Sequence, residues 1–273
     1  MAWSKVKNII ILILLLANLF LLLMIFTQAR SSAQYQDQAM TDVLEVLERN
    51  GIHLDQEGIP ESFCTPMVLQ RDQEGEPALA VALLGPVEAQ DLGSGRHRYR
   101  SGLGTAEFRS NGNFNFEFEA GALTVEAGSN EQAHALACME LLGFEGEVLS
   151  LEEDGASRTV VLRQVWERIP VFSCTVRLTY QDGQLRSIVG ERLMGTPAED
   201  SEGGTAISVP TALLRFLSGI HSMGDVCSEI TSIQSGYLLS VSDTVRLTPA
   251  WYISTDTDSY YLDGLTGALT KEG

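Results

Sequence analysis

The sequence is poor in the residues that build most catalytic and cofactor sites. It has four cysteines and four histidines among 273 residues. The cysteines form no Cys-x-x-Cys pair and show no metal-ligand spacing. No His-Glu-x-x-His, Gly-x-Ser-x-Gly, P-loop or Gly-x-Gly-x-x-Gly motif occurs. We therefore expect a binding protein and not an enzyme, with no metal, no cofactor and no small-molecule substrate.

Basic charge is also scarce. The chain has 18 Lys and Arg against 36 Asp and Glu, a net charge of −18. Three of the basic residues lie within residues 1–30, where there is no acid, so residues 31–273 carry 15 basic residues and a net charge of −21. A body this acidic is repelled by nucleic acid phosphates, which makes DNA or RNA an unsuitable partner.

One long apolar run stands near the N-terminus, from Ile9 to Phe26. As a helix it is about 27 Å long, close to the ~30 Å hydrocarbon core of a bilayer, and it has no polar face. Lys5 and Lys7 precede it and acid dominates after it, which predicts a cytoplasmic N-terminus and an extracytoplasmic body at the cell membrane. Trp3 is placed to anchor the helix at the interface.

A cleaved signal peptide is the alternative interpretation of this run. The small residues 31–33, Ser-Ser-Ala, offer a cleavage site. Signal h-regions usually span about 7–15 residues, however, and this run is longer. Its length favours a helix that stays in the membrane, making the protein single-pass.

Asn18 is the polar interruption in the run. It shares a helical face with Leu14, Leu21 and Ile25. An amide that faces only lipid is unfavourable, so this face is predicted to bind a partner helix. The alternative is that a single amide is tolerated in a run this apolar.

Residues 31–125 are predicted to form an N-terminal extracytoplasmic α+β domain. After a short polar stalk (31–38), an apolar stripe indicates a helix that Gly51 ends. Residues 54–76 are predicted to be irregular, and "ALAVALLG" is predicted to be a strand. Alternation on both sides of Asn111-Gly112 predicts a hairpin, with core side chains on one face of its second strand. The stripe is Met40, Val43, Leu44 and Leu47, and the hairpin face is Phe114, Phe116 and Phe118.

The second half of the sequence repeats, with predicted units at 126–196 and 205–273. Each unit has a helix followed by strands, an α+β arrangement of antiparallel sheets with packed helices. The first helix has Ser129 and Gln132 in capping-box spacing, and the second begins at Ser208. Residues 197–204 are predicted to be an exposed, mobile linker. The helix stripes are Ala135, Cys138, Met139 and Leu142, then Leu213, Phe216, Leu217 and Ile220. The matched strand motifs are Pro170 with Pro249, and Tyr180, Asp182 and Gly183 with Tyr261, Asp263 and Gly264.

Three polar or thiol clusters are candidate sites. The basic segment Arg96, His97, Arg98 and Arg100 could hold an acidic partner, but a solvated hairpin edge is favoured. Asp256, Asp258 and Asp263 could bind Ca²⁺ or share a proton, but turn positions are favoured because the EF-hand pattern is missing. Cys138 and Cys174 could form a disulfide, but buried thiols are favoured, and His134 is expected to be an ordinary boundary histidine.

The N-terminus resembles the YycI regulatory proteins of Gram-positive bacteria, with a Trp-Ser-Lys-x-Lys start, an apolar run and then Leu-Asn-x-Phe-Leu. The matching residues are Trp3, Ser4, Lys5, Lys7, Asn18, Phe20 and Leu21, while Ala17 replaces the family's Leu. The C-terminal units resemble the PepSY-type unit, which ends in Tyr-x-Asp-Gly-x-x-Gly. Tyr261, Asp263, Gly264 and Gly267 match that ending, and the first unit keeps only Tyr180, Asp182 and Gly183.

The resemblance implies a non-enzymatic regulator of the essential WalK (YycG) sensor histidine kinase, which controls cell-wall metabolism. Its membrane helix is then expected to associate with the kinase helices and with a YycH-like protein. Two alternatives remain: a PepSY-like module that restrains a peptidase or scaffolds the envelope, and an envelope hydrolase that uses the three aspartates.

Overall fold

The computed structural model describes residues 2–55, 58–60, 64–71, 75–125, 130–193, 195–200, 203–241 and 245–272. Within these ranges the side chains of residues 2–13, 23, 25–34, 36, 70, 71, 196 and 241 are outside the description. The described part of the chain is a mixed α and β structure dominated by antiparallel strand pairs, which confirms the α+β class.

The helices are α1 (Ala2–Arg49), α2 (Glu76–Leu84), α3 (Glu131–Leu141) and α4 (Val209–Met223). The strands are β1 (His53–Leu54), β2 (Met67–Arg71), β3 (Glu88–Gly93), β4 (Arg96–Ser101), β5 (Gly104–Arg109), β6 (Asn113–Phe118), β7 (Gly146–Asp154), β8 (Ser157–Trp166), β9 (Ile169–Gln181), β10 (Gln184–Glu191), β11 (Gly195–Glu199), β12 (Glu229–Val241), β13 (Val245–Thr255), β14 (Ser259–Asp263) and β15 (Leu269–Lys271).

Helix α1 is one continuous helix of 48 residues, about 72 Å long. It runs through the predicted stalk at 31–38 without a break. The predicted stripe faces the core, with Val43 and Leu47 buried and Met40 and Leu44 partly buried. The helix ends as expected, because Gly51 adopts a φ of 75° that other residues rarely reach.

The first sheet has the order β7-β8-β9-β10-β6-β5-β4-β3, and every pair in it is antiparallel. Helices α2 and α3 cover one of its faces and enclose a core with the inward side chains of the strands. The predicted hairpin is β5–β6, and its three phenylalanines are buried in this core. The predicted stripe of α3 is buried in the same core.

The second sheet is built on β12 and β13. β12 pairs with β13 and, in parallel, with β1, while β13 pairs with β14 and β2, and these continue to β15 and β11. Its core is enclosed by α4 and by the C-terminal part of α1. A single parallel bridge between Tyr237 of β12 and Val171 of β9 joins the two sheets, beside a third apolar cluster.

The structure corrects three predicted segments. "ALAVALLG" is helix α2 and not a strand, because a short apolar run has no diagnostic period and Pro77 in the first turn favours a helix start. The region 54–76 contains β2, and residues 197–199 of the predicted linker belong to β11, which pairs with β2. Pro197 is buried there while Ala198 and Glu199 are exposed, and all three pair with β2, so residues 197–199 form a strand and not a free linker.

Two further predictions, the N-cap of α3 and the position of the basic segment, differ from the structure. Asn130 caps α3, its side chain accepting a hydrogen bond from the Ala133 backbone N–H at 2.7 Å, whereas Ser129 lies outside the described residues. The basic segment is strand β4, which lies between β3 and β5 and is not an edge. Arg98 there pairs with Glu107 at 3.0 Å.

The repeat is present as a helix followed by a four-stranded antiparallel meander. The first unit is α3 with β7–β10, and the second is α4 with β12–β15. Tyr180 and Tyr261 both lie in the third strand of their units. The proline match fails, because Pro170 is in the third strand of its unit and Pro249 is in the second strand of the other.

Candidate partner-binding site

The predicted partner-binding face lies on α1, where Leu14, Asn18 and Leu21 are exposed. Residues 14–22 and 24 are all exposed in the isolated chain, and all except Asn18 are apolar. The described side chains of this band of α1 are 50–66% exposed at its large apolar positions. The side chains of Ile25 and of the predicted anchors are outside the described residues; those anchors are Trp3, Lys5 and Lys7.

In the residues that the structure describes, no helix is long and apolar enough to cross a membrane.

The other end of α1 is part of the folded body. Val43 and Leu47 pack in one cluster with Leu213, Phe216 and Ile220 of α4. The chain after α1 continues this contact, because the His53 backbone N–H donates to the Ser228 carbonyl oxygen at 2.8 Å and β1 pairs with β12. The same helix therefore carries an exposed apolar band at one end and core side chains of the second sheet at the other.

The three aspartates, for which turn positions were favoured over Ca²⁺ binding or proton sharing, each hold a turn or an ion pair. Asp258 pairs with the Lys271 ammonium at 2.7 Å. Asp263 accepts hydrogen bonds from the backbone N–H groups of Leu265 and Thr266 at 2.9 and 2.7 Å. These contacts match the turn interpretation made from the sequence.

Asp256 connects two loops. It accepts hydrogen bonds from the Ser228 backbone N–H at 3.0 Å, from the Ser228 hydroxyl and from the Glu229 backbone N–H at 3.2 Å. These donors, the Ser228 hydroxyl first, lower the pKa of Asp256 below its ordinary 3.8, although partial desolvation opposes them. The loop between β13 and β14 is thereby tied to the segment that enters β12.

This tie predicts a pH-dependent stability difference. A carboxylate with a lowered pKa stabilises the fold above its unfolded-state pKa, and that contribution is lost as the pH falls through its folded-state pKa. We expect Asp256→Asn to have a lower thermal midpoint than the wild type at pH 7, with a difference that shrinks below about pH 4. Thermal unfolding from pH 2 to pH 7 measures this, with Asp154→Asn at the end of β7 as the control. A difference that does not change with pH would contradict the assignment.

One cluster in the first unit resembles a nucleophile with a base. The Cys138 thiol lies 3.6 Å from His134 Nδ1, and the same nitrogen lies 3.0 Å from the Tyr180 hydroxyl oxygen. Burial raises the pKa of Cys138 to about 11 and also raises that of Tyr180, which keeps both groups protonated at neutral pH. The arrangement is a packed polar contact and does not present an activated thiolate.

All four cysteines are free thiols, and Cys138 and Cys174 lie in different apolar clusters. This confirms the buried-thiol interpretation of that pair. Among the described residues there is no group of three or more His, Cys, Asp or Glu side chains that could hold a metal ion.

A second surface, which sequence analysis did not predict, lies at the outer edge of the first unit. There β7 pairs with β8 on one side, and α3 contacts it. A cavity of about 490 Å³ opens where α3 ends and the chain turns into β7, lined by Leu136, Glu140, Gly143, Phe144, Glu145 and Gly146. The apolar and acidic residues of this edge alternate too irregularly to stand out as a motif.

No family model and no curated protein matches the sequence. Among solved structures, an uncharacterised protein from Eubacterium rectale is similar over 82% of this chain and 92% of its own, with a TM-score of 0.45 and 12% identity. The Bacillus megaterium YpeB C-terminal domain is similar over 74% of this chain and 98% of its own, with a TM-score of 0.40 and 10% identity.

Proposed function

We propose that this chain is a non-enzymatic regulator anchored in the cell membrane by α1, with an extracytoplasmic protein-binding body. Its proposed target is a WalK (YycG)-like sensor histidine kinase that controls cell-wall metabolism, in association with a YycH-like protein. The N-terminal resemblance to YycI proteins and the acidic body with a basic N-terminus support this proposal. In this proposal the C-terminal units are PepSY-like.

The observation that carries the proposal is the continuity of α1. Its exposed apolar band needs a nonaqueous environment or a partner, because a contiguous apolar surface of this size is costly in water. Its C-terminal stripe is part of the core with α4. A displacement of the band along or around the helix axis is therefore transmitted to the second unit, which suits a protein that couples membrane helices to an outer body.

Asn18 provides the direct test of helix contact. An interhelical hydrogen bond from an amide contributes roughly 0.6–2 kcal/mol in a membrane. We expect Asn18→Leu to reduce the amount of kinase recovered with this protein from detergent-solubilised membranes by about threefold or more. Quantitative mass spectrometry of the co-purified proteins measures it.

Moving the amide supplies the matched control. The double variant Asn18→Leu with Leu16→Asn keeps composition and hydropathy but places the amide about 160° away around the helix. We expect this variant to bind as weakly as Asn18→Leu, and Asn18→Gln to recover binding. Normal kinase recovery with Asn18→Leu would remove the proposed role of the amide.

A second candidate is a PepSY-like module that restrains a peptidase or scaffolds envelope assembly. The repeated helix-plus-meander unit favours it, because such a body needs no membrane partner to present binding surfaces. Crosslinking in intact cells separates the two. A sensor kinase in the crosslinked fraction supports the first proposal, and a peptidase without a kinase supports the second.

A further inference from the structure

Strand β7 presents a free edge to solvent. Among the described strands it pairs with β8 alone, and residues 149–154 are exposed. A bulge between Val148 and Ser150 leaves Leu149 without a partner on β8. Beyond the bulge, Ser150–Asp154 is a regular stretch whose outward backbone groups are available for another strand.

The strand register shows which side chains of β7 face α3. Leu151 is opposite Val160, which is fully buried in the core beneath α3, so Leu151 points to the α3 side although 40% of it is exposed. By alternation Glu152 lies on the open face, where it pairs with Arg177 at 2.8 Å.

Helix α3 runs along this edge from one end to the other. Near its start, Glu131 pairs at 3.3 Å with Arg158, which is opposite Glu153 of β7. After its end, the ring of Phe144 lies against Gly146, the first residue of β7. Leu136 in the middle of α3 is 37% exposed and lines the cavity at the start of β7. The free edge and the helix thus form a groove, here called the β7–α3 groove.

The β7–α3 groove has an apolar floor and acidic surroundings. Glu140 and Glu145 line the cavity at one end, and Asp154 stands at the other. On the open face, Glu147 and Glu152 pair with Arg163 and Arg177, and Asp154 follows Glu152 on the same face by alternation, so this face has three carboxylates against two guanidinium groups. A basic segment is the charge-complementary ligand.

We propose that the β7–α3 groove binds an extended segment of a partner protein, which adds to β7 as a further strand. Its apolar side chains lie on the α3 side over Leu136 and Leu151, and its Lys or Arg side chains alternate on the open face. Backbone hydrogen bonds to β7 provide affinity, and the alternation provides specificity. A second copy of this chain fits poorly, because pairing two β7 strands opposes acidic residues to acidic residues. The inference goes beyond the role of α1 and does not depend on it.

The probe is a synthetic peptide, Ac-KVKVKVK-NH2, added to the full chain in mild detergent. We expect it to slow hydrogen–deuterium exchange of the backbone amides in residues 146–154 and to leave the β3 edge, residues 88–93, unchanged. The control peptide Ac-KKKKVVV-NH2 has the same composition and charge without the alternation. Equal protection by both peptides would mean that charge alone binds them, and would overturn strand addition.

Two leucine variants complete the test. Leu151→Lys removes the apolar contact and repels the basic peptide, so we expect about tenfold weaker binding. Leu103→Lys, on the exposed turn between β4 and β5, makes the same change away from the groove and should bind as the wild type. Equal affinity of the two variants would overturn the proposal. So would self-association of the chain that Leu151→Lys abolishes while the peptide fails to bind, because the occupant would then be a second copy.

Discussion

Leu47→Ala lowers the free energy of unfolding of the body by about 2–5 kcal/mol. Leu47 is 1% exposed and lies in the cluster that joins α1 to α4. The substitution removes buried apolar area and leaves a cavity. The end of α1 cannot move to fill this cavity, because the Ile52 N–H donates to the Leu47 carbonyl oxygen and the following strand β1 pairs with β12. Urea unfolding followed by circular dichroism measures the change.

The control for this prediction is Leu214→Ala. Leu214 lies on α4 and is 45% exposed, so the same chemical change should alter stability by about 0.5 kcal/mol or less. Equal effects of the two variants would mean that α1 is not packed on α4 in solution. The continuity that supports the proposed regulation would then fail, while the β7–α3 groove would be unaffected.

Gly264→Ala destabilises the second unit by about 1–3 kcal/mol through a steric clash. A Cβ on Gly264 would lie 2.6 Å from the Pro249 carbonyl oxygen and 2.9 Å from its carbon, both backbone atoms of the central strand β13. The Gly264 N–H also donates to that oxygen at 2.7 Å, so the two segments cannot separate without losing the bond. Thermal unfolding of the full chain measures the loss.

Gly183, in the matching motif of the first unit, is glycine for a different reason. Its φ is 71° and a Cβ would meet nothing within 4 Å, so backbone conformation alone selects glycine. Asn tolerates this region better than Ala. We therefore expect Gly183→Asn to be nearly neutral and Gly264→Asn to be at least as harmful as Gly264→Ala. Rescue by Asn at both positions would mean that the two turns are equivalent.

The sequence motif Tyr-x-Asp-Gly predicted two similar turns, and the structure separates them. In the first unit Asp182 and Gly183 both have positive φ and close a two-residue hairpin, as predicted. In the second, Asp263 holds a longer turn through its carboxylate, and Gly267 supplies the positive φ of 73°. The dipeptide Asp-Gly is the same in both units, yet it does not specify the type of turn. In the second unit the turn also depends on the contact between Gly264 and β13, which no local sequence pattern encodes.

Helix periodicity was the most reliable guide to the core. The stripes of α3, of α4 and of the C-terminal part of α1 are buried as the spacing predicts, because a helix between solvent and sheet must be apolar on one side. The wrong predictions concern short segments that have neither helical nor strand periodicity. "ALAVALLG" is α2, and residues 195–199 are β11, where pairing with the distant strand β2 overrides a local composition typical of linkers.

The two candidate surfaces, the apolar band of α1 and the β7–α3 groove, also differ in whether the sequence alone could predict them. The apolar band of α1 and the amide within it were visible in the sequence, because a long unbroken run needs no knowledge of neighbours. The β7–α3 groove was not visible, since it depends on which strand is left at the edge of a sheet and which helix lies beside it.

By itself, the sequence determined the acidic charge of the body, the apolar N-terminal helix, the repeated helices with their buried stripes and the α+β class. These follow from composition and local periodicity, which act within a few turns or one strand. Only the tertiary structure decided the strand order, the joining of α1 to the second unit, the separate structural roles of the three aspartates and the exposure of β7. Each of these depends on contacts between residues far apart in the chain, and no local pattern specifies them.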